Sequence, residues 1–200
     1  MTLFESLVVA SLNPKKAHEL AELLADIPLR VVSLADVPGA TLPPEGEHSY
    51  AENALAKARA GAALAGTIAL GDDSGLEVDA LGGAPGVRTA RFGGEGLSDI
   101  DRYRLLLERL AGVPAARRTA RFRCVIALAS PDGRERVVEG VAEGVIADAP
   151  RGTGGFGYDP VFYYPPFACT FAELDAERKA QVSHRGIAVR SAAEALRTFL

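Results

Sequence analysis

The chain has 200 residues, 48% of them hydrophobic and 24% charged, with a formal net charge of −4 and two cysteines. That length suits one domain able to bury about 70% of its unfolded surface, so neither disulfide nor metal staples are required for a core. The composition excludes disordered, collagen-like and coiled-coil classes. No apolar run approaches the roughly 18 residues that span a bilayer. Residues 1–9 lack the basic flank, apolar stretch and small-residue cleavage site of a signal peptide, so a cytoplasmic protein is expected. An acidic balance argues against broad nucleic-acid binding, which needs Lys and Arg in excess along one face, yet leaves room for a phosphate ligand held by a few local cations. Lys15, Lys16, Lys57 and Lys179 are the only lysines. Cys124 and Cys169 form no CxxC pair and read as inert thiols.

In chain order, Leu7-Val8-Val9-Ala10 reads as a buried strand. Asn13-Pro14 then opens a helix whose apolar face carries Ala17, Leu20, Leu23 and Leu24. Residues 29–34 read as a second strand. The Pro- and Gly-rich stretch 38–48 is too long for a mere connector, which marks it as functional. Ser49-Tyr50-Ala51-Glu52 is a capping box for an alanine-heavy helix through Ala65. Residues 67–70 form a short strand running into a turn, Gly71-Asp72-Asp73-Ser74-Gly75. A turn-rich loop follows at Leu81-Gly82-Gly83-Ala84-Pro85-Gly86, and then Ser98 and Asp101 cap a helix carrying Tyr103, Leu106, Leu107 and Leu110. Residues 121–129 and 135–147, around Pro131-Asp132-Gly133, predict an antiparallel hairpin. After the glycine-dense 151–159 comes Val161-Phe162-Tyr163-Tyr164, expected as an edge strand stopped by Pro165-Pro166. Ser183-His184-Arg185-Gly186 leads into a last helix through Phe199. Parallel and hairpin signals together predict an α/β fold with a mixed sheet.

Four groups of residues carry chemistry. The turn Ser11-Leu12-Asn13-Pro14-Lys15-Lys16 joins strand to helix, where free N–H groups, the positive dipole end and Lys16 suit an anion. No GxxxxGK[ST] is present, so it is not a Walker loop. Asp72-Asp73-Ser74 sets two carboxylates side by side, an arrangement that a divalent cation relieves, with Glu45 or Glu47 as a further oxygen donor. Gly152-Thr153-Gly154-Gly155-Phe156-Gly157 satisfies GxGxxG, but Pro160 and an aromatic run follow where a dinucleotide site needs a helix. A loop presenting Phe156 to a flat base, with Asp159 as acceptor, fits better. Lys179 and Ser183-His184-Arg185-Gly186 gather donors before the last helix.

Taken together and in order, Ser11-x-Asn13-x-x-Lys16, Asp72-Asp73-Ser74-Gly75-Leu76, Leu81-Gly82-Gly83-Ala84-Pro85-Gly86, Gly152-Thr153-Gly154-Gly155-Phe156-Gly157-Tyr158-Asp159-Pro160 and Ser183-His184-Arg185-Gly186 closely resemble the inosine/xanthosine triphosphate pyrophosphatase family. Leu12 departs from the glycine that the family typically carries there.

The resemblance implies an elongated mixed sheet flanked by helices, in two lobes with the active-site cleft between them, as a single pyrophosphatase domain over residues 1–200. It implies Mg²⁺-dependent hydrolysis of ITP, dITP and XTP to the monophosphate and pyrophosphate, and a homodimer with no nucleic-acid or membrane partner. Asp73 matches the general base and a metal ligand, and Glu45 a second metal carboxylate. Ser11, Leu12, Asn13, Pro14, Lys15, Lys16, Lys57 and Ser74 match the triphosphate cradle, and Asp72 would orient the metal's surroundings. Phe156, Gly157, Tyr158 and Asp159 match the base pocket, where Lys179, His184 and Arg185 would donate to a 6-oxo purine edge and leave adenine's amino group facing a donor. A nucleotide-binding regulatory module without turnover is the competing reading, disfavoured by the added carboxylates. An NAD-type oxidoreductase is disfavoured by the context of residues 152–157.

Overall fold

The computed structural model describes residues 4–36, 39–47 and 49–200. Among the described residues eight strands form one sheet: β1 (Ser6–Val9), β2 (Arg30–Ser33), β3 (Ile68–Val78), β4 (Pro85–Gly86), β5 (Thr119–Ala129), β6 (Glu135–Ile146), β7 (Phe162–Tyr164) and β8 (Cys169–Thr170). Their order is β2-β1-β3-β5-β6-β7-β8, with β4 beside β3. Five helices lie among the described residues: α1 (Pro14–Leu23), α2 (Tyr50–Ala65), α3 (Asp99–Arg109), α4 (Ala176–Val182) and α5 (His184–Leu196). The mixed α/β fold is as expected. None of these helices is long and apolar enough to cross a membrane.

The chain divides into two compact units. The first comprises the described residues through Asp73 with Cys124–Gly140 and His184–Leu200. In it β1 runs parallel to β2 and to β3, with Leu7 opposite both Val31 and Ile68. Leu7, Val9, Ile68, Leu70, Ile126 and Leu128 pack with Leu20 of α1 and Val189 of α5. On another core, Val8, Ala10, Ala69 and Ala127 meet Ala54, Ala58 and Ala62 of α2. Small residues allow that helix to lie close. A Cβ placed on Gly71 would sit 2.6 Å from the Ala58 nitrogen, so β3 and the α2 backbone touch through a residue without a side chain. The obstructing atoms are backbone and cannot swing away, so Gly71→Ala is expected to cost about 3 kcal/mol. It reads as a lower urea midpoint, and an unchanged midpoint would show that α2 can yield.

The second unit comprises Ser74–Arg123 and Val141–Ser183. Here β7 pairs antiparallel with both β6 and β8. Phe122, Phe162 and Phe171 form its aromatic centre, with Phe122 and Phe162 centroids 4.5 Å apart. Leu106 and Leu110 cover it from α3 and the turn that ends it.

Two local expectations are corrected. The turn at Gly71-Asp72-Asp73-Ser74-Gly75 is not a turn: β3 runs straight through it to Val78. Turn-forming residues accept extended backbone where their side chains find partners, and those of Asp72 and Asp73 do. β7 is interior rather than an edge, because Pro165-Pro166 opens a single helical turn, Pro165–Phe167, and the chain returns as β8. The last helix opens at His184 as expected, and Ser183 just before it closes α4. Pro38 and His48 of the long loop lie outside the described residues.

Candidate active site

In the first unit, polar side chains from α1, α2, α5 and the loop before α2 converge on Asp72 and Asp73. Consecutive strand residues point to opposite faces, so each aspartate meets a different set of partners. Asp72 is 1% exposed and pairs with Lys16 Nζ at 3.1 Å and with Arg185 Nη2 at 3.8 Å. Arg185 itself is 2% exposed and also pairs with Glu19 of α1. Burial alone would push the Asp72 carboxyl up, but Lys16, Arg185 and Lys57 outweigh it and hold the group far below the usual carboxylate range. The same carboxylates raise the Arg185 pKa against the effect of burial.

Asp73 lives in the opposite regime. Its Oδ2 accepts a 2.8 Å hydrogen bond from Asn53 Nδ2, and its Oδ1 lies 3.8 Å from Lys57 Nζ. Burial is the largest influence and raises its pKa, aided by nearby Glu45, while Lys57 and Asn53 only partly oppose. Lys57 donates to the Asp72 carbonyl at 2.8 Å and pairs closely with Glu45. Its pKa is raised: burial disfavours the ammonium, and Asp72, Glu45 and Asp73 more than compensate. One turn of α2 separates Asn53 from Lys57, and both reach Asp73 because Gly71 lets the helix lie against β3.

The helix start at Asn13 is capped as expected, with a consequence for anion binding. Asn13 Oδ1 accepts from the Lys15 and Lys16 N–H groups at 3.1 and 3.3 Å, and Pro14 has none to offer. The Ala17 N–H bonds to the Asn13 carbonyl at 2.9 Å. The first-turn amides are therefore taken, and this helix start offers an anion its dipole and the Lys16 ammonium rather than free N–H groups. Ser11 is buried and its hydroxyl accepts from the Asn13 N–H at 3.3 Å, while Leu12 is exposed.

In the second unit the glycine-dense loop closes on a buried acid. Asp159 Oδ2 accepts from the Phe156 N–H at 2.9 Å and from Lys179 Nζ at 2.8 Å, and that ammonium sits 5.1 Å from the Phe156 ring centroid. The Gly157 N–H donates to Asp99 at 3.0 Å, and the Tyr158 hydroxyl to the Thr89 carbonyl at 3.1 Å. Tyr158 is buried, which pushes its phenol pKa up. The loop has left-handed backbone at Gly155 (φ 69°) and Gly157 (φ 62°), conformations that favour glycine. Strand β7 follows it rather than a helix, which removes the dinucleotide reading of GxGxxG.

The model of the Ham1 family matches residues 7–195. The chain belongs to the Ham1 family. Among its relatives is a dITP/XTP pyrophosphatase of Desulforamulus reducens, 54% identical over 190 residues that cover 95% of this chain and 94% of that one. Another, from Thermus thermophilus, is 50% identical over 188 residues, 94% of this chain and 90% of that one. Of solved structures, a HAM1 protein from Coxiella burnetii aligns with a TM-score of 0.84 at 40% identity, covering 99% of this chain and all of its own. The Staphylococcus aureus Ham1 protein also aligns at 0.84, with 36% identity over 96% of this chain and 98% of that one.

For this Ham1 member the structure brings Lys16, Lys57, Glu45, Asp72 and Asp73 together, and separately Phe156, Asp159 and Lys179. One expectation changes. Asp72 does not turn toward the Glu45 and Asp73 carboxylates but anchors Lys16 and Arg185. The Arg185 guanidinium is engaged by Glu19 and Asp72. Ser74 is half-buried at the point where β3 enters the second unit. Sequence reasoning missed Asn53 and Glu19. Asn53 lies four residues before Lys57 and Glu19 three after Lys16, the helical spacings that place side chains on a common face, and that signal was available.

Proposed function

We infer that this chain hydrolyses non-standard purine nucleoside triphosphates, ITP, dITP and XTP, to the monophosphate and pyrophosphate, clearing them from the nucleotide pool. The observation that carries the reading is the opposed setting of adjacent carboxylates: Asp72 is paired with Lys16 and Arg185, while Asp73 is held by Asn53 and shares Lys57 with Glu45. Titratable neighbours set in such different environments mark an acid–base assignment. The names carried by the Desulforamulus and Thermus relatives supply the substrate class.

The donor set fits a hard divalent cation, which we assign as Mg²⁺. Glu45 and Asp73 would hold it, both through carboxylate oxygens and both flanking Lys57. Among the described residues no group of three or more His, Cys, Asp or Glu converges to form a cage. A cation that arrives with a nucleotide would need only one or two protein carboxylates, here Glu45 and Asp73. When bound, such a cation neutralises phosphate charge and acidifies coordinated water.

Asp73 orients the attacking water and accepts its proton, directing it at the phosphorus next to the nucleoside. Lys16 and Lys57 offset the charge that develops on departing pyrophosphate, with Ser11, Leu12, Asn13, Pro14, Lys15 and Ser74 lining the same cradle. Phe156 stacks on the base, Gly157 and Tyr158 shape its pocket, and Asp159 reads the ring N–H with Lys179 and His184 toward the 6-oxo edge. Arg185 serves the cradle by holding Asp72. Residues 1–200 act as one pyrophosphatase domain, as a homodimer in the cytoplasm, without nucleic-acid partners.

Incubation with ITP and Mg²⁺ is expected to release IMP and pyrophosphate faster than ATP or GTP releases its products, and excess chelator to stop it by more than 100-fold. Release of orthophosphate would overturn the reading. Tight ITP binding with no turnover would restore the regulatory-module alternative, which no observation on this chain favours.

A further inference from the structure

The loop that carries Glu45 is tied to Asp73 through one side chain. Asn53 of α2 is 5% exposed, and every hydrogen-bonding position its carboxamide uses faces the site. Its Oδ1 accepts from the Gly46 N–H at 2.7 Å. Its Nδ2 donates one hydrogen to the Gly46 carbonyl at 3.1 Å and the other to Asp73 Oδ2 at 2.8 Å. A single residue of loop backbone is thus clasped on both sides, and Glu45 is its immediate chain neighbour. Pro43-Pro44 precede it and stiffen the approach. From α2 the Lys57 ammonium also holds Glu45, and that cation is one that a triphosphate attracts as well.

We propose that Asn53 is a positioning residue that couples the Glu45 loop to Asp73, keeping the two carboxylates at the separation a divalent cation requires before nucleotide arrives. This rests on the pyrophosphatase reading above. Asn53 acts by fixing the orientation of Asp73 Oδ2 and the path of residues 45–47. Glutamine would reach too far to keep both contacts, and aspartate would keep the acceptor for Gly46 while losing both donations and facing Asp73 with like charge.

The test compares wild type, Asn53→Ala and Asn53→Asp, using ITP hydrolysis against Mg²⁺ concentration and amide hydrogen exchange of residues 39–47. For Asn53→Ala the Mg²⁺ concentration giving half-maximal rate should rise at least tenfold, with the ITP KM at saturating Mg²⁺ within threefold of wild type. Exchange across 39–47 should accelerate at least tenfold, while that of β5 stays unchanged. A merely structural role would lower the melting temperature and leave the Mg²⁺ dependence alone. Asn53→Asp, nearly isosteric and carrying the test if the alanine variant does not fold, should lose at least tenfold in kcat at saturating Mg²⁺ with a smaller gain in loop exchange. A folded variant that keeps Mg²⁺ half-saturation, kcat and loop exchange within twofold of wild type overturns the proposal. If wild type itself fails to hydrolyse ITP, the pyrophosphatase reading falls, and the exchange comparison still reports whether Asn53 holds the loop.

Discussion

Asp73→Asn is expected to lower kcat for ITP by at least 100-fold while nucleotide affinity stays within tenfold of wild type. The substitution is nearly isosteric, and its side-chain oxygen can still accept the 2.8 Å hydrogen bond from Asn53 Nδ2, so β3 and α2 keep their contact. What disappears is the negative charge that orients water and takes its proton, a contribution on the order of 10²–10⁴ in rate. Affinity survives because two effects offset each other. A metal contact is weakened, but one anion is also removed from beside Lys57, which leaves that ammonium freer to meet phosphate. Single-turnover hydrolysis and calorimetric binding of ITP check the two halves separately. A rate loss below 100-fold would place the base elsewhere, with Glu45 the next carboxylate to examine.

What could be read from the sequence is what local chemistry dictates. Asn13 with Pro14, Ser49 with Glu52 and Ser98 with Asp101 each start a helix because a short polar side chain satisfies the first turn, and each cap is present, at Lys15 and Lys16, Glu52 and Asp101. Pro131-Asp132-Gly133 turns the chain between β5 and β6, with the Ser130 N–H on the Arg134 carbonyl at 3.0 Å. Long-range compensation was not legible. Gly71-Asp72-Asp73-Ser74-Gly75 has turn chemistry, and partners far away in the chain, Lys16, Asn53, Lys57 and Arg185 among them, stabilise extended backbone there. β8, Cys169–Thr170, is too short to announce itself, so its neighbour β7 read as an edge. The scarcity of lysine was informative: Lys16, Lys57 and Lys179 each meet a buried aspartate. The partners of Arg185 were not legible, since Glu19 and Asp72 stand 166 and 113 positions before it in the chain.

Arg185→Ala is expected to destabilise the protein by about 3–5 kcal/mol, because removing one partner of a buried ion pair leaves the remaining charge uncompensated. The remaining charge is Asp72, 1% exposed and hydrogen-bonded to Lys16 at 3.1 Å. The pH dependence gives this cause a signature. In wild type the folded-state pKa of Asp72 is depressed, so its stabilising contribution is present above the unfolded carboxylate pKa and is lost as pH falls below it. In the variant burial is unchanged and one cation is missing, so the folded pKa rises and that contribution shrinks at neutral pH. The stability gap between the two proteins should therefore be widest near neutrality and narrow as pH falls through the carboxylate range. Urea unfolding at neutral and at acid pH measures it. A gap below about 1 kcal/mol, the scale of an exposed pair, would mean that Glu19 and Asp72 do not depend on Arg185. A gap that stays constant with pH would point to lost packing instead. Because the guanidinium faces Glu19 and Asp72, the ratio of ITP to ATP turnover should survive in the folded variant. A selective loss of ITP hydrolysis at unchanged stability would return Arg185 to the residues that read the base.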